Sequence, residues 1–135
     1  MSYKILDHTA DVQIAFSGSD IEELLSSFTE AWANLTSFTL INPVYRTYEG
    51  EIRFTDYTDM LYRFASLFIE QLEGENFYFK KLLNASMPTS GHLSFKLEGY
   101  IFSEVSGYAN IPKAPTYHQI CFDAEKGLGQ IIFDL

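Results

Sequence analysis

The sequence is poor in the residues that build cross-links, charge-driven grips on nucleic acid and membrane spans. Its 135 residues hold a single cysteine, Cys121. No intrachain disulfide framework and no cysteine-based zinc cluster can therefore be drawn, which fits a reducing compartment. Basic side chains are also scarce, nine against eighteen acidic ones, for a formal charge of −9 and a sequence pI near 4.6. Such a balance opposes a non-specific hold on phosphate backbones, so RNA is expected only through a partner and direct DNA binding is not expected. No stretch approaches ~18 consecutive apolar residues, and Met1-Ser2-Tyr3-Lys4 is not a charged region followed by an apolar run. The expectation is a cytoplasmic protein with no membrane contact. Phosphate-binding glycine loops, H-E-x-x-H, G-x-S-x-G and C-x-x-C are all missing, and no nucleophile has an evident base. An independent NTPase, protease or redox enzyme is thus unsupported. Only four prolines occur, all between patterned segments, with no repeat and no Gly/Ser-rich linker. One domain spanning residues 1–135 follows.

What is present is aromatic mass, twelve Phe, nine Tyr and one Trp, with 47% hydrophobic residues. Residues 20–37 place Ile21, Leu24, Leu25, Phe28, Ala31, Trp32 and Leu35 at helical spacing, with Ser19 and Glu22 as the expected capping box. A second helix is predicted from near Asp56, with Met60, Leu61, Phe64, Leu67, Phe68 and Leu72 on one stripe, ending before Gly74. Val12, Ile14 and Phe16 alternate as in a strand that Asp11 begins. Residues 44–54 read either as one strand or as a hairpin turning near Glu49-Gly50. The run from Phe77 to Met87 pairs most simply with that from Leu93 to Ile101 across residues 88–91, and a final hairpin joins residues 116–122 to 130–134. The order predicts an α+β fold, with two helices packed on a mostly antiparallel β-sheet.

Five polar features invite chemistry. Asp7-His8-Thr9-Ala10-Asp11 gathers two carboxylates and an imidazole where a strand opens, although turn hydrogen bonds from Asp7 and Thr9 with a surface His8 are the default reading of such residues. Asp134 lies beside the α-carboxylate of Leu135 on a strand whose Ile131 and Phe133 share a face. Lys113 stands between Pro112 and Pro115, a stiffened cation, or simply an exposed loop lysine. His118 could be a ligand, a proton carrier or a strand residue. Asp56 has helix N-cap as its default role.

Together these segments resemble the archease family. Asp7-His8-Thr9-Ala10-Asp11-Val12 is similar to its D/E-H-T-A-D-I/V opening, residues 21–25 to its first helix and residues 56–61 to its D-x-x-x-L-L helix start. Lys113-Ala114-Pro115-Thr116-Tyr117-His118 resembles K-A-x-T-Y-H, and Ile132-Phe133-Asp134-Leu135 resembles the closing V/I-F-D-I/V/L. Gln13, Phe64-Ala65, Gln119 and Leu128-Gly129-Gln130 depart from the pattern, Gln119 standing where the family carries glycine. The resemblance implies a non-catalytic accessory protein of the RtcB-type RNA ligase in tRNA splicing and RNA repair. Such a protein promotes guanylylation of the ligase, with GTP consumed by the partner, and allows repeated turnover. It also implies a metal site containing Asp11 and Asp134 and a functional lysine, Lys113. Closely held carboxylates need a cation, and oxygen ligands favour Ca²⁺ or Mg²⁺. The expected ligands are Asp11, Asp134 and the Leu135 carboxylate, with Asp56 as a further candidate and His8 and His118 as functional neighbours. The alternative is a chaperone-like modulator of RNA-modifying enzymes such as RNA methyltransferases, binding through aromatic faces without metal. A third reading, a small metal-dependent hydrolase, needs an open cation site beside a substrate pocket.

Overall fold

A computed structural model describes residues 1–7, 11–35, 38–107 and 111–135. The chain order is β1 (Ser2–Asp7), β2 (Asp11–Ser17), α1 (Ile21–Leu35), β3 (Thr39–Ile41), β4 (Val44–Arg53), α2 (Tyr57–Glu75), β5 (Phe77–Thr89), β6 (His92–Ile101), β7 (Glu104–Ser106), β8 (Ala114–Asp123) and β9 (Leu128–Asp134). Every strand pairing is antiparallel. The strands are divided among a four-stranded sheet, β1-β2-β9-β8, a three-stranded sheet, β4-β6-β5, and a short β3-β7 pair. The α+β class is as the sequence predicts, with the strands shared among three sheets.

Aromatic rings show how these layers meet. Phe28 and Trp32 of α1 contact Phe133 of β9, and Phe28 also meets Phe16 of β2. Phe64 and Phe68 of α2 pack edge-on against Phe95 and Phe79 of the three-stranded sheet, while Phe28 and Trp32 tie the two helices together. The helix pair therefore lies between the two larger sheets. Their buried residues form one cluster, and edge-to-face rings of this kind add ~1 kcal/mol per pair to the burial itself.

Local chemistry shifts several predicted boundaries by a residue or two. Asp20, rather than Ser19, caps α1 by accepting the Glu23 N–H at 2.8 Å, and Glu23 reaches back to the Ser19 hydroxyl at 2.6 Å. Glu22 is freed from the capping box and accepts the backbone N–H of Ala85 in β5 at 2.9 Å. Asp56 caps α2 as predicted, and the helix runs through Gly74 to end at Asn76, whose φ of 51° supplies the left-handed cap expected of a glycine. β4 is one straight strand. Gly50 does not turn the chain there; it pairs with Phe95, and a Cβ on it would stand 2.6 Å from the Phe95 ring. β1, β3 and β7 carry no clear alternation in the sequence and emerge only from pairing.

Candidate functional site

β9 is the inner strand that carries the site. On one side, seven consecutive residues of β2 pair with it in unbroken register, from Asp11↔Asp134 to Ser17↔Leu128. Val12, Ile14 and Phe16 face the helices with Ile131 and Phe133, all buried. By strand alternation Asp11 and Asp134 point together to the opposite, outward face. Directly opposed residues hold their Cβ atoms ~5 Å apart. At that spacing two carboxylates repel by ~3 kcal/mol at an effective dielectric of about 20. Asp11 Oδ1 is buried and has no hydrogen-bond partner among the described residues. A buried anionic oxygen without a donor is costly to keep, which makes it receptive to a cation.

On the other side of β9, β8 begins in register, with Ala114↔Asp134 and Thr116↔Ile132, and resumes at Cys121↔Gln130. Five steps along β8 match two along β9, so residues 117–120 form a bulge. Gln119 sits at its apex with a φ of 56°, where the family pattern has glycine, and its carbonyl accepts the Gln130 side-chain N–H at 2.8 Å. The exposed Tyr117 ring lies flat on Tyr62 of α2, with centroids 3.9 Å apart and planes 8° apart. Before the bulge, the Lys113 N–H donates to the Asp134 carbonyl at 2.8 Å, which brings Lys113 to the carboxylate end of the sheet. Thr116 shares the outward face with Asp134, and its Oγ1 is a second buried oxygen without a partner.

The structure thus brings together Asp11, Asp134 and the start of the Lys113 segment, with Thr116 beside them. Leu135 follows directly and packs against the core. His118 is exposed on the bulge, away from the paired carboxylates along β8. His8 lies outside the described residues. Asp56 is held elsewhere. Its carboxylate accepts the Asp59 N–H at 2.8 Å and the Thr58 hydroxyl at 2.7 Å, contacts that hold it below the usual carboxylate range. The neighbouring Tyr57 ring meets Phe122, which pairs with Gly129 at the opposite end of the sheet from Asp134. Asp59 is likewise lowered, by the Thr55 N–H and then by Arg63. Among the described residues no three His, Cys, Asp or Glu side chains converge. The donor set is accordingly two carboxylates, a threonine hydroxyl and whatever the adjoining backbone end supplies. Sequence reasoning missed the Tyr62–Tyr117 stack and the bulge; the one signal for the bulge was Gln119 at the position of the family's glycine.

The archease protein family model matches residues 3–135. Protein archease of Thermoplasma volcanium is 30% identical over 136 residues, covering 100% of each chain. Its counterpart in Thermoplasma acidophilum is 27% identical over 135 residues, covering 100% of this chain and 94% of its own. In fold, the solution structure of Methanobacterium thermoautotrophicum protein 1598 superposes with a TM-score of 0.64 at 24% identity, over 98% of both chains. A Thermotoga maritima crystal structure, described as an archease and possible chaperone, gives 0.59 at 19% identity over 98% of this chain and 96% of its own. Among the described residues no helix is long and apolar enough to cross a membrane. With a family match along nearly its whole length and a full-length relative at 30% identity, the chain belongs to the archease family.

Proposed function

We propose that this protein is a non-catalytic cofactor of an RtcB-type RNA ligase, which it activates through a divalent-cation site built on Asp11 and Asp134. The observation that carries this reading is the direct opposition of those two carboxylates across β2 and β9, with Asp11 Oδ1 buried and unpaired among the described residues. The donor set fits a hard cation. Its oxygens suit Ca²⁺ or Mg²⁺, and no soft ligand is at hand among the described residues nearby. Asp11 and Asp134 would hold the ion, with the Leu135 α-carboxylate as a third donor and the Thr116 hydroxyl alongside. When bound, the cation supplies a fixed positive charge able to order phosphate oxygens at the ligase centre. Lys113 extends from the same strand end as a mobile cation that can meet a phosphate or a partner carboxylate. The remaining negative charge favours docking against a basic, RNA-binding cleft, so RNA is met through the ligase, and GTP is spent by it.

Two measurements test the reading. In multiple-turnover ligation by the cognate ligase in the cytoplasmic setting proposed here, the wild-type protein should raise turnover at least tenfold, whereas Asp11→Ala and Asp134→Ala should return it to the unassisted rate. Equal turnover in all arms sinks the proposal. Separately, Ca²⁺ at a hundred times its dissociation constant should stabilise the wild-type fold by about 2.7 kcal/mol in thermal unfolding. Asp11→Asn should abolish that gain, and a C-terminal extension after Leu135 should reduce it.

A further inference from the structure

Six strands stand at sheet edges among the described residues, and four of them are blunted. β3 and β7 are three residues long, whereas β1, at six residues, is of ordinary length and pairs with β2 without a break. β8 carries Pro115 and the bulge at residues 117–120. β5 breaks register three times, and the carboxylate of Glu22 occupies its Ala85 N–H. Short length, proline, bulges, covered amides and charged side chains are the usual ways of closing an edge to other strands. β4 is the longest unbroken edge: ten residues pair with β6, no proline interrupts them, and its one guard is charge, from Arg46, Glu49, Glu51 and Arg53.

Two hydrogen bonds fix which β4 groups remain open. The Phe54 N–H donates to the Gly91 carbonyl at 3.0 Å, on the β6 side, and the Arg46 guanidinium reaches round to the Tyr45 carbonyl at 2.8 Å. Backbone groups alternate along an antiparallel strand. Tyr48, Gly50 and Ile52 therefore spend theirs on β6, while Thr47, Glu49, Glu51 and Arg53 turn N–H and C=O to the unpaired side. Next to this edge a cavity of about 500 Å³ opens between β4 and α2, with Tyr48, Ile52 and Leu67 as its apolar lining, Arg63 and Glu70 of α2 as charged lining, and Tyr117 beside them. On the opposite face the side chains of Glu49 and Glu51 are 79% and 70% exposed, each with one β6 neighbour, Lys96 at 3.8 Å from Glu49 and His92 at 3.4 Å from Glu51, and with its outer side open.

We propose that β4 is a docking edge at which a partner protein adds an antiparallel strand along residues 47–53, alternating aliphatic and basic side chains. Aliphatic residues of that strand enter the cavity against Tyr48, Ile52 and Leu67, and basic residues stand opposite Glu49 and Glu51. A second copy of this chain fits poorly at the central registers, because each two-fold register centred on residues 49–51 sets a glutamate opposite a glutamate. The proposal does not rest on the ligase reading.

The probe is a ten-residue peptide alternating lysine and valine, read by amide hydrogen exchange on the full chain. In the free protein the Thr47, Glu49, Glu51 and Arg53 amides should exchange fast, and those of Tyr48, Gly50 and Ile52 slowly. Bound peptide should slow the four open amides at least tenfold. The same peptide N-methylated at its lysines keeps its charge but loses the donors facing β4, and should not protect them. In a Glu49→Lys/Glu51→Lys variant that retains slow exchange at Tyr48 and Ile52, a glutamate–valine peptide should bind at least tenfold tighter than the lysine–valine one. Equal binding of the N-methylated peptide, no protection at the four amides, or unchanged preference in the variant would overturn the proposal. Protection that rises with protein concentration alone would assign the edge to a second copy and overturn it too.

Discussion

The two sides of β9 are built from the same strand and behave differently. Towards β2 the pairing is regular over seven residues, and its product is geometric: buried rings on one face, two carboxylates face to face on the other. Towards β8 the pairing is broken by the bulge, and its product is display: Tyr117, His118 and Gln119 are lifted out of the ladder and exposed. Regular register positions charges against each other, where their mutual repulsion makes the pair receptive to a cation. Broken register takes side chains away from one another and presents them outwards. One strand thus has a side suited to holding and a side suited to touching.

This contrast can be broken most forcefully at its regular side. Phe133→Ala removes a ring that is fully buried against Phe28 and Trp32 and should cost about 3–5 kcal/mol in urea unfolding. A loss below 1 kcal/mol would mean that the β2 side of β9 does not anchor the core. Next comes Gly129→Ala, whose new Cβ would sit 2.2 Å from the Phe16 ring across the same pairing. Overpacking there should destabilise by about 1–3 kcal/mol, with Phe16→Leu expected to relieve part of it. On the irregular side the sign reverses. Gln119→Gly relieves a left-handed residue while keeping the carbonyl that Gln130 holds, so it should stabilise by about 1 kcal/mol and raise the melting temperature by roughly 3 °C. Destabilisation by this change would show that the Gln119 side chain itself holds the bulge.

The smallest effect is expected at Asp56, remote from both sides. Its folded carboxyl lies below its ordinary value of 3.8 because it accepts the Asp59 N–H and then the Thr58 hydroxyl. The contribution is therefore present above the unfolded value and is lost as pH falls through the folded one. Asp56→Asn retains the cap without the titration. The stability gap between the two proteins, followed by thermal melting, should narrow as pH falls below about 4 and stay flat from pH 5 to 8. A gap that persists at low pH would mean that Asp56 acts through something other than its charge.

Much of this was legible in the chain. Both helices, the β5–β6 hairpin and the strands of Asp11 and Asp134 follow from apolar spacing, because burial on one face leaves a period that can be counted. What joined the first and last motifs was outside that reach. Periodicity says that Asp11 and Asp134 begin and end strands, yet only register says that they are opposite one another. β1 escaped because its outward residues are mixed, and the placement of Asp56 far from Asp134 depends on the direction in which α2 crosses β8. Gly50 left strand and hairpin both open for a physical reason: glycine suits a turn, and it equally suits a strand position over which a neighbour's phenyl ring must lie.

β9 is last in chain order and internal in its sheet, between β2 and β8. β2 and β8 have no pairing with each other, so the four-stranded sheet cannot close until residues 128–134 are in place. When they are, core closure through Ile131 and Phe133 and the meeting of Asp11 with Asp134 are the same event. A chain without residues 128–134 would lack both, so core closure and the candidate site stand or fall with a single strand.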